Sequence, residues 1–531
     1  MVKGFRQLAF LTAVSRVFGM LRDMAFSNFL GAGSLFDSWV IAFKIPNLAR
    51  RIFGEGAASA SFIPVYSEQL KIDKKNAQRL ASTVVTVIFV ILSIAVLIGF
   101  VGILIYCKFF SANDENRRML ELTAIMLPYM VMICVVAIIA GVLNSHRHFA
   151  TPAVAPIMLN IFIIGSLCLT GWAFGLEAWS QVFVVAVCVL FAGVAQILIQ
   201  VPSLRASGVK LRPAWDVHTD AFKKIMTMMG PMIIGLTVTQ VNTLADDVIA
   251  KCLSGSLEKG EFFNFFGTSI EYPVWAGSVS YLYYAQRLYQ LPLGVFGISL
   301  ATAIFPVMSA QAANKDYDGL AKSVSRGIGG TVFLAVPAMA GLFLLGRPLV
   351  SAIFQHGEFT GADANATAFT LCFYAIGLTG FFSQQILTRA FYSMQDSRTP
   401  MRSALIAVCV NIVLNLTLIW YMGVSGLALS TAICSYLQVI ILVLALRRRI
   451  GHVFMLGLPL TVLKTFVSTG LMAAVSGGAL YLMRDLPKGD LGLKFDILRL
   501  SVVVLTSVVV YYYSSVLMKN DGLSLVVRRK K

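Results

Sequence analysis

The sequence predicts an all-α polytopic membrane protein of about fourteen transmembrane helices. These are expected as two parallel six-helix lobes around a central cavity, with two helices appended at the C-terminus. Three observations lead there. Of the 531 residues, 58% are hydrophobic and 13% charged, about half the charged share of a water-soluble domain. The apolar residues gather in runs long enough to cross a bilayer core. Two stretches of chain also repeat at nearly one offset.

The runs cover 5–30, 36–67, 80–107, 119–144, 153–173, 178–200, 224–251, 279–309, 326–355, 366–394, 402–421, 425–446, 459–483 and 497–518, separated by charge, Gly, Pro or Asn. The first opens like a signal sequence, MVKGFRQLAFLTAVSRVFGMLRD, but Arg16, Arg22 and Asp23 interrupt it and no small-residue cleavage site follows, so it reads as a retained span. The second contains Pro46 and the Gly54/Gly56 pair and is expected to bend. Spans one to six form an N-lobe over 1–200, a cytoplasmic linker follows at 201–223, and spans seven to twelve form a C-lobe over 224–446. Residues 252–278 read as an enlarged outer loop, 459–518 as the appended pair and 519–531 as a basic cytoplasmic tail.

An even number of spans puts both termini on one side. Loops on that side hold 21 Lys/Arg against 7 on the other, which by the positive-inside rule makes it cytoplasmic. The remaining composition excludes other classes. Eight scattered cysteines form no CxxC pair, so neither a disulfide framework nor a zinc site is expected. No soluble stretch can house a nucleotide-binding domain and no GxxxxGK[ST] loop occurs, which argues against ATP hydrolysis by this chain.

Compared with itself at an offset of 243, the chain aligns FKIPNLARRIFGEGAASASF with QRLYQLPLGVFGISLATAIF: Lys44 meets Arg287, Phe53 meets Phe296, Gly54 meets Gly297 and Phe62 meets Phe305. At an offset of 248, Ser145, Thr151 and Pro152 meet Ser393, Thr399 and Pro400. The offsets map span two onto eight and four onto ten. Six spans is an even number, so the copies are parallel, with a substrate site expected between them.

A basic side chain at the bilayer centre costs at least about 2.5 kcal/mol, so a cluster of them needs a reason. Arg16, Arg22, Lys44, Arg50, Arg51 and Arg287 all fall within spans one, two and eight, with Asp23, Asp37 and Glu55 as the nearby acids. Asp37, Lys44 and Arg51 recur every seven residues, one stripe of a continuous helix. Individually, Arg50 and Arg51 could snorkel to headgroups and Arg16 with Asp23 could be a structural pair. Their concentration instead implies a cationic, water-filled cavity whose partner is an anion, and guanidinium forks suit phosphate. Asp246 and Asp247 on span seven, with Asn411 and Asn415 on span eleven, offer hard oxygen ligands for sodium. Hydrogen bonding between helices explains them equally well.

SRVFGMLRD, FDSWVIAFKIPNLARRIFGEGAASASFIPVYSE, ATPAVAPIMLN and SYLYYAQRLYQLPLGVFG resemble the MurJ (MviN) lipid II flippases of the multidrug/oligosaccharidyl-lipid/polysaccharide exporter superfamily. The resemblance implies a non-enzymatic transporter that moves undecaprenyl-diphosphate-linked disaccharide-pentapeptide from the inner to the outer leaflet of the bacterial cytoplasmic membrane, for peptidoglycan synthesis. It implies cavity arginines at Arg16, Arg22, Arg50 and Arg287, a cavity acid at Asp37, and supporting roles for Arg51 and Glu55. Gln286 and Gln290 stand where some members carry acids. A sodium site would use Asp246, Asn411, Asn415, Thr431 and the Leu427 carbonyl, with Asn415 replacing an acidic ligand. The driving force would be sodium or the membrane potential. The implied partners are lipid II, membrane lipids and the cell-wall synthesis machinery, with no nucleic acid and a monomeric chain. A drug exporter of the same superfamily, or a flippase for another lipid-linked glycan, are the rival expectations.

Overall fold

The computed structural model describes residues 2–53, 59–109, 113–453, 457–483 and 492–523. It divides into two compact units, 1–280 with 357–359, and 281–356 with 360–531. The first contains α1 (Val2–Leu30), α2 (Ser34–Ala49), α3 (Ser59–Ile72), α4 (Lys74–Phe109), α5 (Asp114–Ser145), α6 (Ala150–Cys168), α7 (Ala178–Leu198), the short α8 (Val201–Ala206) and α9 (Asp220–Cys252). Here α2 packs on α5, α1 on α6, and α5 also on α4 and α7, while α3 sits against α4, α5 and α9.

The outer loop then makes two small sheets. β1 (Ser254–Gly255) pairs in parallel with β4 (Val274–Trp275), and β2 (Phe262–Phe265) forms a hairpin with β3 (Thr268–Glu271). The second unit carries α10 (Ser278–Pro292), whose first turn belongs to the first unit, then α11 (Ile298–Ala313), α12 (Tyr317–Phe354), α13 (Gly361–Ile376), α14 (Leu378–Ser393), α15 (Arg398–Met422), α16 (Val424–Ile450), α17 (Leu458–Leu482) and α18 (Gly492–Leu517). In it α12 packs on α11, α13, α14 and α17, and α17 pairs with α18.

Among the described residues ten helices are long and apolar enough to cross a membrane, or eleven when α13 and α14, bent by 42°, count as one. The bend has a local cause: a Cβ on Gly377 would lie 2.9 Å from the Cα of Ala432 on α16, so only glycine lets the two backbones approach this closely. The expected count of fourteen is therefore not reached by length and composition. The spans missing from it are the first, second and seventh; the second is missing because α2 is only 16 residues long.

The sequence repeat is written into the backbone. α4 begins at 74 and α12 at 317, an offset of 243, and α6 begins at 150 and α15 at 398, an offset of 248. A widened, π-type turn follows α2 at 50–53, and another joins α10 to α11 at 293–297. Each comes shortly after a proline, Pro46 and Pro292, which cannot donate to the helical ladder. Left-handed residues recur as well: Arg147 and Gln395, Gly175 and Gly423, Gly208 and Gly451. Gly423 marks the requirement most clearly, because φ 59° with ψ −141° is accessible to almost nothing but glycine.

Two details differ from the sequence reading. The second span is not one continuous helix, so Arg51 leaves the strict seven-residue stripe and sits in the widened turn. α9, assigned by the repeat to the second lobe, packs on α2, α3 and α4 within the first unit.

Candidate functional site

α2 has two chemically distinct faces. Phe36, Trp39 and Phe43, spaced three and four apart, turn inward: Trp39 lies 4.2 Å from Phe26 of α1 and 4.7 Å from Phe43, and Phe43 stacks toward Tyr129 of α5. These rings bury the helix against α1 and α5, where aromatic contacts add to ordinary area burial. The opposite stripe carries Asp37, Lys44 and then Arg51.

Lys44 does not stand in an open cavity. Its Nζ makes an ion pair with the Asp247 carboxylate and donates to the Thr243 carbonyl at 2.8 Å, both on α9. The carboxylate is almost fully buried, at 2% exposure, whereas the lysine side chain keeps 24%. Arg51, exposed, donates through Nη1 to Gln240 Oε1 of α9 at 3.1 Å, and Arg50 donates through Nε to Asn47 Oδ1 at 3.2 Å. Asp37 is fully buried. It accepts from the backbone N–H groups of Gly277 and Ser280 at 2.8 and 2.7 Å and from the Ser280 hydroxyl, and so caps the first turn of α10. Glu55 lies outside the described residues.

On α1, Arg22 folds back on its neighbour Asp23, with Nη2 and Nε 2.7 and 3.1 Å from Oδ1, and reaches Asn160 Oδ1 of α6 at 3.1 Å. Asp23 is buried, so the pair is held in the α1–α6 contact. Arg16, about two turns away, is exposed. The first unit thus holds Arg22 against α6, Lys44 and Arg51 against α9, Arg50 on Asn47 of its own segment, and Asp37 at the start of α10.

Arg287 belongs to the second unit, where α10 supplies an aromatic setting. Its guanidinium lies 4.5 Å from the Tyr283 ring centre, a cation–π contact. Around it Gln286 Nε2 donates to the Tyr374 hydroxyl at 3.1 Å, Tyr289 stacks on Tyr374 at 4.8 Å, and Tyr281 donates to Asp363 at 2.8 Å. These tyrosines are hydrogen-bonded and stacked with their own unit.

The suggested sodium ligands divide likewise. Asp246 is buried on α9 in the first unit. In the second, Asn411 and Asn415 of α15 meet Ser430 and Thr431 of α16: Asn415 Nδ2 donates to Asn411 Oδ1 at 3.0 Å, Asn411 Nδ2 to Ser430 Oγ at 3.2 Å, Ser430 Oγ to Asn415 Oδ1, and both hydroxyls to the Leu427 carbonyl. This network ties α15 to α16. Among the described residues no group of three or more His, Cys, Asp or Glu side chains could hold a metal.

Two partners, Asn160 and Gln240, escaped the sequence reading, and Asp247, read there as an oxygen ligand, is the partner of Lys44. Asn160 is a lone amide in an apolar run, and Asp247 and Gln240 lie on a span already marked as polar. Each carried the same signal, a polar group inside a membrane helix that must find a partner.

A bundle of membrane helices built from a tandem repeat, with basic side chains held inside it, defines a polytopic transporter. The profile of the family described as "Lipid II flippase MurJ" matches residues 26–502, and the chain belongs to that family. It is 34% identical over 445 residues to the protein described as "Probable lipid II flippase MurJ" from Vibrio cholerae, covering 81% of this chain and 80% of that protein. It is 30% identical to the one from Rickettsia prowazekii, covering 81% and 80%. Among solved structures it superposes on "Lipid II flippase MurJ, inward closed conformation" with a TM-score of 0.74 at 24% identity, over 97% of this chain and 99% of that one. An inward-facing MATE family transporter of the MOP superfamily matches with a TM-score of 0.62 at 12% identity, over 82% and 94%.

Proposed function

We propose that this protein translocates lipid II, an undecaprenyl-diphosphate-linked disaccharide-pentapeptide, from the inner to the outer leaflet of the bacterial cytoplasmic membrane. The observation that carries the proposal is family membership over residues 26–502, joined to a site whose chemistry suits a diphosphate. Arg16, Arg22, Lys44, Arg50, Arg51 and Arg287 are the cations assigned to it, with Glu55 as a supporting acid, while the cavity acid Asp37 is engaged at the first turn of α10. Arginine forks bind diphosphate oxygens bidentately, while Lys44 acts as a mobile point charge. The headgroup travels with these residues as the two lobes alternate access. The polyprenyl chain stays in lipid along the apolar surface of α17 and α18.

Both termini lie in the cytoplasm and the protein works as a monomer in the service of the cell-wall synthesis machinery, with no catalytic step of its own. A membrane potential, negative inside, favours outward movement of negative charge by about 2.3 kcal/mol per charge per 100 mV, which supplies direction without ATP. Sodium at Asp246, Asn411, Asn415 and Thr431 is the second candidate driver, supported by the oxygen-rich α15–α16 contact. Its neutral amides and hydroxyls make it the weaker of the two.

The test is depletion of the protein in its host, followed by a measurement of which leaflet holds lipid II. Accumulation in the inner leaflet is expected; an unchanged distribution overturns the proposal. Arg22→Ala and Arg287→Ala, expressed at normal levels, are expected to abolish growth rescue, and full rescue by both removes the arginines from the site.

A further inference from the structure

The polar contacts between α2 and α9 run in antiparallel order. The Ser34 carbonyl at the start of α2 accepts from Lys251 Nζ at 3.3 Å, Lys44 is held by Asp247 and Thr243, and Arg51 meets Gln240. On α9 the positions 240, 243, 247 and 251 recur every three or four residues, so all four line one face. The outer end is locked further, because Lys251 is also paired with the buried Glu115 of α5, which accepts from Ser256 of the outer loop at 3.0 Å. By sequence, α9 opens the second repeat. The seam therefore joins helices of different repeats within one compact unit.

A buried ammonium–carboxylate pair contributes little net stability, because desolvation offsets most of the attraction, and apolar side chains hold helices together at least as well. A charged seam differs in one respect: a competing anion can open it. The asymmetry of the pair suits that role, with Asp247 sealed away and Lys44 partly accessible on a flexible four-carbon stem. The aromatic face of α2 is independently anchored on α1 and α5, so the charged face can change partners without unpacking the helix.

We propose that Asp247 is a positioning residue for the flipped diphosphate. It holds Lys44 against α9 until a diphosphate takes the ammonium over, and that exchange releases the α2–α9 seam. The idea rests on the assignment of Lys44 to the substrate site, and the experiment separates the two.

In a background with the eight native cysteines replaced, a cysteine is introduced at Thr243 and its labelling by a hydrophilic maleimide is followed in lipid nanodiscs, with and without purified lipid II. Lipid II is expected to speed labelling. Asp247→Asn, neutral and nearly isosteric, is expected to raise basal labelling and to tighten lipid II binding, each by about threefold, the size expected for removing a partly exposed charged competitor. A merely structural role would not tighten binding, so unchanged labelling and affinity overturn the proposal. The exchange Lys44→Asp with Asp247→Lys is expected to restore slow labelling while lipid II binding stays weak. If slow labelling does not return, Asp247 and Lys44 do not form the latch and the proposal fails. If the exchange restores both, the seam stands and the assignment of Lys44 to the substrate fails.

Discussion

The widened turns at 50–53 and 293–297 occupy the same register of the repeat, and upstream of each stands its basic residue, Lys44 in one copy and Arg287 in the other. The backbones agree: a proline removes a helical donor, and the ladder loosens within the next turn or so. The surroundings of the two cations do not agree. Lys44 has a carboxylate and a carbonyl from α9, whereas Arg287 lies over the Tyr283 ring among other tyrosines. Repetition thus preserved a place where the helix can deform and a positive charge beside it, while the means of holding that charge diverged. An ion pair is a constraint that a competing charge can release; a cation–π contact holds the guanidinium by its face, without a carboxylate.

The comparison can be broken most severely on the lysine side. Asp247→Ala strands a partly buried ammonium and is expected to cost about 2–3 kcal/mol, discounted for the exposure of Lys44, read as a lowered thermal unfolding temperature in detergent. Replacing both partners, Lys44→Met with Asp247→Leu, should recover stability to within about 1 kcal/mol while flipping is lost. A double variant as unstable as the single one shows that the pair does more than neutralise charge. In the second unit, Gly377→Ala forces a Cβ against α16 and is expected to cost about 1–3 kcal/mol by overpacking. In the first unit, Pro128→Ala within α5 restores a backbone donor and should cost less in the same melt. Tyr283→Leu removes the cation–π contact, worth about 0.5–1 kcal/mol; growth rescue should weaken with little change in melting.

The smallest effect is one of pH. His146, just past α5, has its pKa lowered by burial, with His148 and Lys74 adding repulsion, and it contacts the Tyr66 hydroxyl at 3.1 Å. The unfolded chain therefore takes up a proton before the folded one does. Stability is full above the ordinary histidine range and falls as pH drops through the ordinary value of 6.5. His146→Gln should flatten that part of the melting curve against pH, and an unchanged slope assigns it elsewhere.

Much of the architecture was legible because membrane helices report themselves through hydropathy, and the 243 and 248 offsets reappear in element starts and left-handed turns. The break at Gly377 was not legible, since it depends on how close Ala432 comes. The cations of the candidate site were legible for the reason that a charge in an apolar run is costly. Their partners were harder. Asp23 adjoins Arg22 in sequence, but Asn160 lies 138 residues from it, and Asp247 lies 203 from Lys44. No periodicity links such pairs. Asp37 reads as one more charge in the stripe, yet the fold spends it on the first turn of α10.

By itself the sequence determined the membrane class, the parallel repeat, the family, and the identity of the charges that must be accommodated, because each depends on composition or on short-range order along the chain. Only the tertiary structure decided which of those charges are neutralised, by what, and on which helix. Pairing energy depends on distance and burial in three dimensions, and neither α9's place beside α2 nor the tyrosines around Arg287 is encoded in the spacing of residues along a single span.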